Sequence, residues 1–96
     1  MYGLIGSFIA KPGERDALVA ILTDATAGMP GCRSYVVATD PAEPDTVWIT
    51  EVWDDKAAHE ASLALPAVKA AIQKAMPLIE RFGQHTVTVP VAGVGI

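Results

Sequence analysis

The sequence has a single cysteine, no asparagine and few positive charges. The lone Cys32 excludes an internal disulfide bond and any metal site made of cysteines only, and we interpret it as a small buried apolar residue. Seven Lys and Arg stand against eleven Asp and Glu, which gives a sequence pI of about 4.9. Because nucleic-acid-binding proteins carry a basic stripe, this charge balance argues against nucleic acid as a partner.

Long apolar runs are also missing, although the composition is apolar. Hydrophobic residues make up 51% of the chain and charged residues 19%, and the mean hydropathy is +0.33. A bilayer span needs about 20 consecutive apolar residues, and the runs here are shorter or broken by Gly, Pro and Thr. No cationic segment followed by an apolar one opens the chain, so we expect a cytoplasmic protein that does not enter a membrane. The apolar excess then favours a surface buried against a partner.

The patterning of the 96 residues predicts one domain, 1–96, with four strands and two helical regions. Alternation and β-branched or aromatic residues indicate strands, whereas apolar residues at the i, i+3, i+4, i+7 spacing indicate helices. The predicted strands are residues 2–10, 32–39, 46–53 and 84–89. The predicted helices are residues 14 to about 27, about 55–64, and a segment that starts at Pro66 and is kinked or ended by Pro77.

The order β-α-β-β-α-β predicts an α+β, ferredoxin-like fold, in which a four-stranded antiparallel sheet carries its helices on one face. An antiparallel sheet with a bare second face normally alternates apolar and polar residues. The first three strands instead carry apolar residues on both faces, so the uncovered face needs a partner. We therefore expect a homodimer with its sheets face to face. The apolar C-terminal tail, residues 91–96, is a candidate arm between the copies.

Several short motifs punctuate nearly the whole chain in a recognisable order. They are Lys11-Pro12-Gly13, Met29-Pro30-Gly31-Cys32, Glu51-x-Trp53-Asp54-Asp55, His59-x-x-Ser62-Leu63 and Pro66-x-Val68. With these motifs the sequence resembles the antibiotic biosynthesis monooxygenase domain, the quinol-monooxygenase-like proteins of the dimeric α+β barrel superfamily. That superfamily contains cofactor-free oxygenases of phenols and quinols, haem-degrading enzymes and isomerases of small lactones.

The resemblance implies a pocket in each subunit between the sheet and the helices, and dimerisation through the opposite sheet face. For the oxygenases it implies a reaction without metal or flavin, in which an ionised phenol or quinol reduces molecular oxygen directly. The protein then excludes water, orients the ring and accepts a proton. The haem-degrading branch has an Asn in the first strand and Trp on a helix. This chain has no Asn and carries both tryptophans in the third predicted strand, which argues against haem degradation.

Glu51 and His59 are the candidate catalytic residues. A neutral imidazole near pH 7 suits removal of a phenol proton, although His59 could instead be a half-exposed helix residue bonded to Asp55. Glu51 shares a strand face with apolar residues. It therefore either has a raised pKa and a catalytic use, or pairs with Arg33 or Arg81.

The candidate substrate-binding residues are Trp53, Trp48, Tyr35 and His85. The two tryptophans face opposite ways along one strand, so one is expected in the pocket and the other in the dimer interface. Tyr35 could bond a phenolic oxygen and His85 could face the pocket. For all four residues, packing in the core or the interface is the alternative. Two histidines without a matched third ligand do not indicate a metal site, and the glycines do not form a phosphate loop.

Three functional hypotheses follow. The first is a cofactor-independent monooxygenase of a small aromatic, a quinol or polyketide-like phenol, with molecular oxygen as co-substrate. The second is a non-catalytic ligand-binding or stress-associated dimer of the same fold, and the third is an enzyme like the lactone isomerases. All three hypotheses use the pocket, and only the first predicts that oxygen is consumed.

Overall fold

The computed structural model describes residues 1–25 and 28–96, which form one antiparallel sheet and three α-helices. The strands are β1 (Tyr2–Ala10), β2 (Cys32–Thr39), β3 (Thr46–Trp53) and β4 (Ile79–Thr88). The helices are α1 (Arg15–Asp24), α2 (Lys56–Ser62) and α3 (Pro66–Ala75), and α3 leads into a 3₁₀ turn, Met76–Leu78. The strand order is β2-β3-β1-β4. The predicted ferredoxin-like α+β fold is confirmed, with its second helical region divided into α2 and α3.

Helices α1 and α2 are both shorter than the sequence predicts. α1 ends at Asp24, whereas the prediction ran to about residue 27; residues 26 and 27 lie outside the described residues. α2 covers Lys56–Ser62 rather than about 55–64. Asp55 is its N-cap, because the Asp55 carboxylate accepts a hydrogen bond from the Ala58 backbone N–H at 2.7 Å.

The last strand begins five residues earlier than the predicted residue 84. The sequence prediction extended the apolar stripe of α3 through Ile79. Pro77 lacks the N–H needed to continue the helix, so the chain tightens into the 3₁₀ turn and Ile79 instead pairs with Ala10 of β1. β4 consequently pairs with β1 from Gly3 to Ala10, with register irregularities between Gly6 and Phe8 and between Ile9 and Ala10.

The core lies between the helices and one face of the sheet, here called the inner face. Val47 and Ile49 of β3 pack there with Leu18 of α1 and Ala75 of α3, and the Leu18 side chain is completely buried. Trp53 belongs to the same face and is 1% exposed. Side chains alternate along a strand, so Trp48 lies on the opposite, outer face, as predicted. Its indole N–H donates to the Asp40 carboxylate at 2.9 Å.

The outer face remains apolar although no helix covers it. Ile5, Trp48, Val52 and Val36 share this face by the pairing register, and Val36 is 51% exposed. Within the described ranges, no helix is long and apolar enough to cross a membrane. The outer face is therefore a surface of the folded domain that still offers apolar area for burial.

Candidate functional site

A cavity of about 630 Å³ lies between the inner face of the sheet and helices α2 and α3. Its walls are mostly apolar, and several of the apolar side chains that line it are exposed. The exposed lining residues, here called the mouth residues, are Leu63, Ile72, Met76 and Phe82, which are all at least 44% exposed. Ligand pockets of small molecules are concave, largely apolar sites with a few convergent polar groups, and this cavity has that character. The predicted polar site residues in its lining come from β3, α2, β2 and β4.

Glu51 is the carboxylate of the cavity, and β3 places it on the inner face two residues before Trp53. One Glu51 carboxylate oxygen, Oε1, accepts a hydrogen bond from the Trp53 indole N–H at 3.0 Å. Burial raises the pKa of Glu51, and the Trp53 hydrogen bond and the nearby His59 and His85 oppose that rise. The structure therefore holds a carboxyl group whose ionisation depends on its immediate partners.

Neither arginine proposed as a partner of Glu51 reaches it, and that expectation is wrong. The Arg33 Nε instead lies 2.6 Å from the Asp54 Oδ1 in an exposed ion pair. Arg81 lies opposite Ile9 on the edge strand β4. A single polar position on an apolar strand face identified Glu51 as unusual, but the identity of its partner depends on how α2 crosses the sheet.

His59 comes from α2 and approaches Glu51 from the helix layer. Its Nε2 lies 3.9 Å from the Glu51 Oε1, and the two side chains are only 20% and 15% exposed. The imidazole packs against the rings of Trp53 and Tyr2, with ring centroids 5.4 and 5.6 Å away. His59 is therefore not a half-exposed side chain bonded to Asp55; its contact with Asp55 is the backbone hydrogen bond of the helix.

The local structure of α2 holds the histidine in this position. Asp55 caps the start of the helix. The buried Ser62 hydroxyl donates to the His59 carbonyl oxygen at 2.6 Å near the helix end. The ring also packs against two aromatic side chains, so contacts of both the helix backbone and the side chain hold its orientation. Glu51, Trp53 and His59 are hereafter called the polar cluster.

The remaining predicted site residues divide between the two faces of the sheet. Tyr35 of β2 lies beside Glu51, and both Tyr35 and His85 of β4 line the cavity. Burial, and secondarily the Glu51 charge, raises the pKa of Tyr35, so its hydroxyl stays protonated and can donate a hydrogen bond. Trp48 lies on the outer face and is not part of the cavity wall, which leaves Trp53 as the tryptophan of the pocket.

Some residues of the cavity were not singled out from the sequence. Gly6 is one of its lining residues, and so are the exposed apolar mouth residues at the end of α2, in α3, in the 3₁₀ turn and in β4. A glycine inside an apolar strand is a usable signal, because glycine weakens a strand interior. The mouth residues gave no such signal, since their spacing is the same as that of ordinary core residues.

The arrangement can bind an apolar, ring-shaped molecule and act on one polar group at the polar cluster. A neutral imidazole beside a carboxylate is suited to accept a proton from a bound hydroxyl group. Among residues 1–25 and 28–96, no group of three or more His, Cys, Asp or Glu side chains is arranged to hold a metal ion. Proton transfer at an otherwise apolar surface is the chemistry that the described side chains can perform.

Residues 1–74 match the family model described as antibiotic biosynthesis monooxygenase. The chain therefore belongs to the antibiotic biosynthesis monooxygenase family. A comparison with functionally curated proteins found no match to the chain.

Solved structures agree with this assignment. A protein from Chloroflexus aurantiacus J-10-fl, named for the antibiotic biosynthesis monooxygenases, is 58% identical with a TM-score of 0.97, covering 99% of this chain and 97% of that one. A Deinococcus radiodurans protein with the same family name is 28% identical with a TM-score of 0.78, covering 100% and 98% of the two chains. Rv0793 from Mycobacterium tuberculosis, 24% identical with a TM-score of 0.81 and 97% of each chain covered, shares the fold.

Proposed function

We propose that this protein is a cofactor-independent monooxygenase of a small aromatic phenol or quinol, with molecular oxygen as co-substrate. The observation that supports it most is the polar cluster, which places a histidine and a carboxylate at one end of an apolar cavity large enough for an aromatic ligand. The family name of the chain and of its 58% identical relative is consistent with this activity.

The first step is removal of a proton from the substrate hydroxyl. His59 accepts this proton, and the Glu51 carboxylate 3.9 Å away stabilises the imidazolium that forms. The resulting phenolate is electron-rich at ring and benzylic carbons. The apolar walls keep water from the anion while oxygen, which is itself apolar, can enter.

The second step is reduction of oxygen by the ionised substrate itself. In a substrate with a methylene group conjugated to the phenolate, the methylene carbon donates electrons to O₂. A C–O bond forms at this carbon, and the product is a hydroperoxide. Loss of water from this peroxide leaves a carbonyl group. The balance is one CH₂ group and one O₂ giving one C=O group and one H₂O, so no further reductant is required.

Oxygen uptake tests this proposal directly. The purified protein, after treatment with a chelator, is expected to consume oxygen with at least one member of a panel of hydroquinones and anthrones, faster than the spontaneous oxidation of the same compound. Uptake no faster than the spontaneous rate throughout the panel would contradict the oxygenase. Ligand binding without uptake would then favour the non-catalytic binding protein, and conversion of an unsaturated lactone without uptake would favour the isomerase.

We also propose that two copies pair through the apolar outer face. An antiparallel sheet face that carries Ile5, Trp48, Val52 and Val36 is stabilised when a second sheet packs on it. Light scattering after size exclusion is expected to give twice the 10.1 kDa mass of the chain at micromolar concentration.

The charge variant Val36→Glu places a carboxylate on the proposed interface and is expected to give monomers. Ala20→Glu, an exposed position on α1 in the helix layer, adds the same charge and should remain dimeric. A wild-type protein that is monomeric at 10.1 kDa would contradict the dimer.

A further inference from the structure

Gly31 lies where the turn that leads into β2 meets the start of helix α2. It directly precedes Cys32, the first residue of β2. The Gly31 carbonyl oxygen accepts a hydrogen bond from the Asp54 backbone N–H at 2.8 Å, just beyond the end of β3. Asp54 is followed by Asp55, the N-cap of α2. Gly31 is therefore bonded to the segment through which the chain passes from the sheet into the helix that carries His59.

The missing side chain of Gly31 permits a close contact with α2. The backbone at Gly31 has a φ of +79°, in the left-handed region that glycine adopts readily. A Cβ atom here would lie only 2.7 Å from the Ala58 Cβ, in the first turn of α2. Gly13 has the same φ of +79°, yet a Cβ atom on Gly13 would meet nothing within 4 Å. The two glycines therefore share a backbone conformation, and only Gly31 has the contact.

This contact bears on His59 because Ala58 precedes it in the same helix. Carbon atoms in contact normally lie about 3.5–4.0 Å apart, so a side chain at Gly31 would push the first turn of α2 away by about 1 Å. Neighbouring residues of a helix move together. Since Gly31 is bonded to the segment that ends β3, His59 would move away from β3, and the 3.9 Å distance from its Nε2 to the Glu51 Oε1 would lengthen.

We propose that Gly31 is a positioning residue of the polar cluster: by lacking a side chain, it lets α2 approach β3 closely enough to place His59 beside Glu51. Asp55 and Ser62 hold His59 within its helix, whereas Gly31 sets the distance of that helix from the sheet. The inference deepens the proposed oxygenase, on which it rests for the role of His59 as proton acceptor.

The Trp53 indole reports on this geometry without any substrate. Its N–H donates to the Glu51 Oε1 at 3.0 Å, so its ¹⁵N–¹H resonance should titrate with the Glu51 carboxylate. Burial raises the pKa of Glu51, and the Trp53 hydrogen bond and the charges of His59 and His85 oppose the rise. The ionisable side chains that interact with Glu51 are His59 of α2, His85 of β4, and Tyr35 and Cys32 of β2.

Gly31→Ala should move the midpoint of the Trp53 indole titration to higher pH. The displaced His59 charge opposes the raised pKa of Glu51 less, and a gap of about 1 Å admits no water that would relieve the burial. With any compound that the wild type oxidises, kcat should fall by about 10- to 100-fold, because a misplacement of about 1 Å can cost about 10²-fold. Gly13→Ala carries the same backbone strain without the contact, so its titration and kcat should match the wild type.

The double variant Gly31→Ala/Ala58→Gly separates positioning from stability. Without the Ala58 Cβ, the atoms nearest to the new Cβ at residue 31 would be the Asp54 Oδ2 at 3.6 Å and the Ala58 Cα at 4.0 Å, which is ordinary contact. The titration midpoint should return to the wild-type value, and kcat to within about 3-fold of it. The melting temperature should not recover. The left-handed alanine remains strained, and the helix glycine costs at most about 4 to 8 °C more.

Ala58→Val is the second variant if Gly31→Ala does not fold. It crowds the same contact from the helix side without straining residue 31, and it should also move the Trp53 midpoint to higher pH.

Three results would overturn the positioning role: a Trp53 resonance that does not titrate in the wild type, a wild-type midpoint in the folded contact variants, or a shift that the double variant does not reverse. If the titrations behave as expected but the wild type never consumes oxygen, the positioning role stands and the oxygenase falls. If the wild type consumes oxygen and Gly31→Ala titrates and reacts normally, the oxygenase stands and the positioning role falls.

Discussion

Replacement of His59 by alanine is expected to lower kcat for oxygen uptake by about 10²- to 10⁴-fold, the range typical of a lost general base. The imidazole packs against the rings of Trp53 and Tyr2 and lies 3.9 Å from the Glu51 carboxylate. Without it, the substrate hydroxyl loses the imidazole that accepts its proton in the proposed first step, and the phenolate forms more slowly. Because the apolar walls that hold the ring remain, KM should change much less than kcat.

The control for this variant lies on the same helix. Glu60→Ala removes an exposed side chain next to His59, one that forms only a weak surface ion pair with Lys56 at 3.8 Å. Its kcat should equal that of the wild type. A His59→Ala protein that is folded and retains wild-type turnover would remove His59 from the mechanism, and it would leave Glu51 as the acceptor to be tested.

Replacement of Glu51 by glutamine is expected to reduce activity and to increase stability at neutral and alkaline pH. Burial raises the pKa of Glu51 above its ordinary value of 4.5, so the folded protein holds this proton more tightly than the unfolded chain. Below pH 4.5, Glu51 is protonated in both the folded and the unfolded state, so its burial does not reduce the stability of the wild type. As the pH rises through the raised pKa, the buried carboxylate ionises and the wild type loses stability. Glutamine does not titrate, and its amide oxygen can still accept the Trp53 hydrogen bond.

Thermal unfolding of the two proteins between pH 4 and pH 9 measures this difference. The melting temperature of Glu51→Gln relative to the wild type should increase across the window just above pH 4.5 and then become constant. The activity of Glu51→Gln, in contrast, should be lower than that of the wild type. In the wild type, turnover should fall as the pH drops through the raised pKa, because protonated Glu51 no longer stabilises the imidazolium. A difference in melting temperature that does not vary with pH would show that Glu51 has no shifted pKa.

A gain in stability together with a loss of activity would be informative in itself. Residues retained at a cost in stability are commonly found at functional sites. Gln at position 51 keeps the volume and the hydrogen bond of Glu, so the comparison isolates the negative charge. The two effects together would therefore assign the charge of Glu51 to function rather than to folding.

The fold was predictable because its signals are local and redundant. Strand alternation, the Lys11-Pro12-Gly13 and Gly28-Met29-Pro30-Gly31 breaks, and the Asp55 N-cap each mark an element on their own. The start of β4 was mispredicted because Ile79 continues the apolar spacing of α3. Only the pairing of Ile79 with Ala10, a contact distant in sequence, decides between helix and strand.

The candidate site was predictable in its residues but not in their pairing. Glu51 and Trp53 could be placed on one strand face, since that follows from alternation. The partner of Glu51 could not, because it depends on the crossing of α2 over the sheet, which brings His59 rather than Arg33 or Arg81 to the carboxylate. Gly6 was missed because its signal, a glycine inside an apolar strand, marks a missing side chain rather than a reactive one.

Isotope labelling provides the most direct test of the central claim, that the polar cluster activates a bound phenol for direct reaction with oxygen. The chelator-treated protein is incubated with anthrone under ¹⁸O₂, and the product is analysed by mass spectrometry with His59→Ala in parallel. Direct reaction predicts anthraquinone that carries one ¹⁸O atom and the second ¹⁸O in water, formed by the wild type well above the rates of the variant and of the protein-free mixture. Product without ¹⁸O, or equal rates in all three mixtures, would contradict it.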